Sequence, residues 1–92
     1  MIKNPTKQYA KSVLSIELKK YSDLGYEKLI ALANRQQEEK YDKTTAYGTY
    51  QIIIKFGITN QGINLLGAID GPGVRHFLGI VSSVTDVVFV NK

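Results

Sequence analysis

The sequence predicts an α+β domain in which two N-terminal helices pack on one face of an antiparallel β-meander of three to five strands. Three observations predict it. Up to about Lys43 the chain is rich in Lys, Glu, Gln and Leu, and from Gly48 it is rich in Ile, Val, Phe, Thr and Gly. Helix-type composition followed by strand-type composition segregates the layers instead of alternating them. Apolar residues recur at spacings of three and four in the first part and at a spacing of two in the second. Finally, 92 residues with no cysteine make one domain whose core must hold the fold unaided, and an apolar fraction of 43% is that of a globular protein.

The single domain divides into an arm over 1–5, closed by Pro5, a helical part over 6–37 and a sheet over 39–90. The first helix is expected from Thr6 to Lys20. Ala10, Val13, Leu14 and Leu18, followed by Tyr21, form one apolar stripe, with Lys7, Lys11 and Lys19 off it. "YSDLG" interrupts, because Ser22 and Asp23 are capping residues and Gly25 is a poor helix interior. A second helix is expected from Tyr26 to Gln37, with Leu29, Leu32, Ala33 and Gln36 inward and Ile30 beside them.

A short strand over Glu39–Thr45 is expected to turn at Ala46–Gly48. Thr49–Ile58 is the clearest strand: Tyr50, Ile52, Ile54, Phe56 and Ile58 alternate with Thr49, Gln51, Ile53, Lys55 and Gly57. "TNQG", Thr59–Gly62, has the composition of a hairpin turn. Ile63–Asp70 comes next, and Gly67 within it marks a bulge or a close helix contact. Gly71-Pro72-Gly73-Val74 is a type II turn, in which Pro fixes φ and the second Gly supplies a positive one. Strands over Val74–Ile80 and Asp86–Val90 complete the expected sheet.

Composition limits function. Net charge is +4, with nine basic and six acidic residues before Gly48 against three and two from there on. So mild an excess supports solubility and weak anion affinity and names no partner. The absence of Cys fits a reducing compartment. "MIKNPTKQYAK" has no apolar run behind its basic residues, and "FLGIVSSVTDVVFV" is broken by Ser82, Ser83, Thr85 and Asp86. A cytoplasmic protein with no membrane contact is expected.

"AIDGPGVRHF" gathers Asp70, Arg75 and the only histidine, His76, around the turn. Turn chemistry accounts for most of it. Strand alternation sends Arg75 and His76 to opposite faces, and the remaining functional reading is a small polar or anion-binding patch of Asp70, Arg75 and His76. One His and no Cys leave no zinc ligand set. A relay of Ser82 or Ser83, His76 and Asp86 lacks a nucleophile elbow. Glu38 and Glu39 lie in a charged run read as a solvated helix end and loop, and "GAIDGPG" lacks the features of a phosphate loop. No enzyme, metal or cofactor is expected.

Two binding readings remain. Val87, Val88, Phe89 and Val90 form a strand apolar on both faces, and at a sheet edge such a strand pairs with a protein partner or with another copy of the chain. The alternative is nucleic acid, with Lys3, Lys7 and Lys11 near the first helix as phosphate contacts and six tyrosines available for stacking. Acidic residues among those lysines and the absence of an RNA-recognition pattern of aromatics put this second.

"YQIIIKF…INLLGAIDGPGVRHF" resembles a group of small bacterial proteins of no assigned activity, whose pattern runs Tyr-x-Ile-x-Ile, then Ile-Asp-Asp-Gly-Gly-Trp-Arg-x-Phe. Tyr50, Ile52, Ile54, Ile69, Asp70, Gly73, Arg75 and Phe77 match; Gly71, Pro72 and Val74 depart from it. The resemblance implies an α+β domain with an antiparallel sheet and brings no functional residues. The expected role is a non-enzymatic protein-interaction module of bacterial or phage type. By analogy, it could serve as an immunity or inhibitor protein.

Overall fold

The computed structural model describes residues 7–74, 76–77, 80–81 and 84–92, with backbone alone at 76–77 and 80–81. Helix α1, Lys7–Ser22, and helix α2, Tyr26–Arg35, precede strands β1, Glu38–Thr45, β2, Gly48–Ile58, and β3, Gly62–Asp70. Two short strands come next, β4 at His76–Phe77 and β5 at Ile80–Val81, and β6 at Val84–Asn91 ends the fold. The main sheet has the order β1-β2-β3-β6, antiparallel throughout, and both helices lie on one face of it. This is the expected α+β architecture.

The stripe on α1 buries Ala10, Val13, Leu14 and Leu18, as its spacing requires. On the sheet they meet Tyr50, Ile52 and Ile54 of β2 and Ile63, Leu65 and Ile69 of β3, all buried, with Val84, Val88 and Val90 of β6 packed around them. Cross-strand rows such as Tyr41–Ile52–Ile69–Val84 keep one face apolar across all four strands. Full burial of one such aliphatic side chain stabilises by about 1.5–3 kcal/mol.

Gly67 makes close helix packing possible. A Cβ built there would stand 2.8 Å from Leu14 Cδ1 and 3.1 Å from Leu18 Cδ2, so the bare backbone gives α1 its seat. Gly67→Val should therefore destabilise by about 1–2 kcal/mol through overpacking. A urea melt with an unchanged slope and a lower midpoint is the expected result.

Helix boundaries shift slightly from expectation. α1 continues to Ser22. α2 stops at Arg35, leaving Gln36 extended and exposed instead of inward-facing, its N–H donating to Leu32 O at 3.0 Å. Gly25, with φ +86°, is the N-cap of α2, which has no side-chain cap, so neither Ser22 nor Asp23 fills that role. The short strand expected over Glu39–Thr45 is present and starts one residue earlier, at Glu38, so the charged run at Glu38 and Glu39, read as a solvated helix end and loop, is strand.

Both turns match expectation. At "TNQG" Thr59 N–H donates to Gly62 O at 2.8 Å, and Thr59 Oγ1 accepts from Gln61 N–H and Gly62 N–H. At "GPGV" Val74 N–H donates to Gly71 O at 3.0 Å, and Gly73 has φ +89°, the positive value a type II turn requires.

Beyond the second turn the chain departs from expectation. Among the described residues, no part of the strand predicted over Val74–Ile80 pairs in the main sheet. Val74 is a buried core residue, β4 pairs with β5 alone among the described residues, and β3 pairs directly with β6. The turn is tied over the helix-bearing face, since the Tyr50 hydroxyl donates to Pro72 O at 2.6 Å. Val74 thus belongs to the core, and the place beside β3 is taken by β6.

Candidate functional site

Two surfaces of the sheet stand out: the face away from the helices, and its two edges. Strand parity builds the outer face. Ile53 on β2, Leu66 and Ala68 on β3, and Thr85, Val87 and Phe89 on β6 all point away from the core. Register makes neighbours of them: Ile53 lies opposite Ala68 and Ala68 opposite Thr85, while Leu66 lies opposite Val87. Leu66 is 42% exposed, Val87 56% and Phe89 42%. A shallow depression of about 250 Å³ lies among Ile53, Lys55, Leu66, Ala68 and Thr85. Both helices occupy the opposite face, and among the described residues no layer covers this one.

β6 is an edge strand, as expected for it. The apolar run Val87–Val90 divides by parity: Val88 and Val90 pack against the core, and Val87 and Phe89 face solvent. Lys92 N–H donates to Gln61 O. Even-numbered residues of β6 therefore bond to β3, and odd-numbered ones, Val87 and Phe89 among them, turn their backbone groups to the open edge.

The helix–sheet seam holds a polar cluster. Glu17 is 5% exposed. It accepts a hydrogen bond from the Tyr41 hydroxyl at 2.9 Å and pairs with Lys20 Nζ at 3.0 Å and Lys43 Nζ at 3.7 Å. Tyr21 donates to Glu39 Oε1 at 2.6 Å beside it. Burial pushes the Glu17 pKa up, but the hydrogen bonds from Lys20 and Tyr41 and the charges of Lys20 and Lys43 outweigh it, and the net shift is downward. Burial, with the carboxylate each phenol bonds to, holds the pKa values of Tyr21 and Tyr41 above the ordinary phenol range. The lysine tips stay in solvent, so the cluster is a satisfied seam between helix and sheet. Sequence reasoning counted Glu17 only among the acidic residues that interrupt the lysines. The signal against that was present, because Glu17 lies three residues after Leu14 and four after Val13, on the buried stripe.

Of the polar patch predicted around the turn, Asp70 is half-buried at the end of β3 opposite Gln51. Arg75 lies outside the described residues, as does the His76 side chain. Of the predicted phosphate contacts, Lys7 and Lys11 are exposed on α1, and Lys3 lies outside the described residues. The tyrosines are largely committed elsewhere. Tyr50 is buried, Tyr9, Tyr21, Tyr26 and Tyr41 pack on the core, and Tyr47 meets Tyr9 edge-on at 4.9 Å. Among the described residues, no group of three or more His, Cys, Asp or Glu side chains converges as metal ligands, and no helix is long and apolar enough to cross a membrane.

No protein-family model, curated protein or solved structure matches the chain.

Proposed function

We propose that this chain is a small non-catalytic module that binds a protein partner through the outer face of its sheet and the adjoining β6 edge. The observation that carries this is the apolar group formed by Leu66, Val87 and Phe89, exposed side by side on the face the helices leave open. A contiguous apolar patch on a small domain marks a contact surface, because water in front of it is released when it is covered. The edge adds unpaired backbone donors and acceptors that a partner strand can use.

The test compares tagged wild-type chain with Phe89→Lys, each expressed in the native host and recovered under the same conditions. Phe89 faces solvent, so the variant should keep its fold while placing a charge at the edge of the patch. A protein recovered with wild type and reduced at least tenfold with Phe89→Lys is the expected result. Identical recovery from both overturns the reading. A nucleic-acid role predicts something else: binding of a mixed DNA and RNA pool at low salt that falls steeply as salt rises.

A further inference from the structure

We propose that the opposite edge of the sheet, β1, pairs antiparallel with β1 of a second copy in a single register centred on Tyr41. This goes beyond the partner reading above, uses different residues and does not depend on it. Among the described residues β1 has one neighbour, β2. Phe56 N–H donates to Gln37 O, which continues the register that sets Glu38 opposite Lys55. In an antiparallel pair the bonded residues alternate. Odd-numbered residues of β1 therefore bond to β2, and Glu38, Lys40, Asp42 and Thr44 turn their N–H and C=O groups to the open edge.

The order of charge along this edge selects the register. A second copy related by a two-fold axis through Tyr41 brings Lys40 opposite Asp42 and Glu39 opposite Lys43, each twice. Glu38 then faces Thr44. The bonded positions are all even-numbered, so outward backbone groups meet outward backbone groups. Neighbouring registers fail. An axis through Lys40 sets Lys40 on itself and Glu38 against Asp42; one through Asp42, Glu39 or Lys43 sets that residue against its own copy. Axes falling between residues oppose outward-facing to inward-facing backbone and form no ladder. Of the axes through residues 39 to 43, only that through Tyr41 opposes no like charges. Charge on an edge strand usually guards it against pairing. A guard needs charge in any order, whereas this order is complementary to its own reverse.

Each of these side chains keeps a group within reach of the contact, although Lys43 also pairs with Glu17 at 3.7 Å. Lys40 and Asp42 are exposed on the outer face, and Lys40 has only a 3.8 Å contact to Glu38. Glu39 uses Oε1 for Tyr21 and keeps its second oxygen, and the Lys43 side chain is 40% exposed. One strand pair is a small contact, below the size of a standard interface, so the dimer is a weak one.

Sedimentation equilibrium from about 10 μM to 1 mM tests the proposal on the full chain, with circular dichroism confirming that each variant folds. Wild type should show a concentration-dependent dimer. Lys40→Asp should weaken it about tenfold or more by setting acid against Asp42 twice. The double variant Lys40→Asp with Asp42→Lys should restore it, since the same pairs re-form with signs exchanged. Phe89→Lys should leave it unchanged. Wild type monomeric at 1 mM, a Lys40→Asp variant that dimerises like wild type, or a double variant that stays monomeric would each overturn the proposal. A dimer lost in Phe89→Lys would place self-association at β6 instead and overturn it as well.

Discussion

Leu65→Ala is expected to cost about 3 kcal/mol of folding stability, and Leu66→Ala, one residue along the same strand, less than about 0.5 kcal/mol. Leu65 is fully buried on the inner face between β2 and β6, where it lies opposite Phe56 and Val88. Truncation there removes transfer free energy and leaves a cavity that surrounding Ile and Leu side chains fill only in part. Leu66 is 42% exposed on the outer face, so its truncation opens no cavity. Against a total stability of about 5–15 kcal/mol, the first change removes a large fraction. Urea denaturation of the pair measures both. If the outer face binds a partner, Leu66→Ala weakens that binding while leaving the melt almost unmoved.

Glu17→Ala is expected to destabilise by about 2–3 kcal/mol, because it leaves the half-buried Tyr41 hydroxyl without an acceptor and two lysines without their counter-ion. Glu17→Leu with Tyr41→Phe removes donor and acceptor together and should cost far less than the sum of its parts. The downward shift of the Glu17 pKa sets a pH dependence. A carboxylate held more acidic in the folded chain than in the unfolded one adds stability above its unfolded pKa of about 4.3. That contribution is lost as pH falls through the folded value. Glu17→Gln lacks it at every pH. The stability gap between wild type and Glu17→Gln should therefore hold from pH 7 to about pH 5 and narrow below that. A gap that stays constant down to pH 3 would show that the charge contributes nothing.

Much of this fold was legible one residue at a time. The three-and-four spacing of Ala10, Val13, Leu14 and Leu18 named the buried side of α1, on which the structure also places Glu17. The alternation from Tyr50 to Phe56 named the buried side of β2, and Gly67 was legible as a place of close approach. In each case a local period fixes direction, because side chains point where the backbone repeat sends them.

Neighbours were not legible in the same way. The segment from Val74 alternates like a strand, yet β3 pairs with β6, and Val74 belongs to the core instead of a ladder. Likewise, "EEKYDK" gives the order of charge on β1 without saying that β1 lies at an edge, where that order faces outward. The sequence by itself determined which side of each helix and strand is apolar, and therefore that helices cover one face of a sheet. Only the tertiary structure decided which strands touch, that the acid on the helix stripe meets Tyr41 and two lysines, and which backbone groups remain open. Facing is set within a few residues by bond geometry, whereas pairing depends on closing loops between distant segments, and no local repeat encodes that choice.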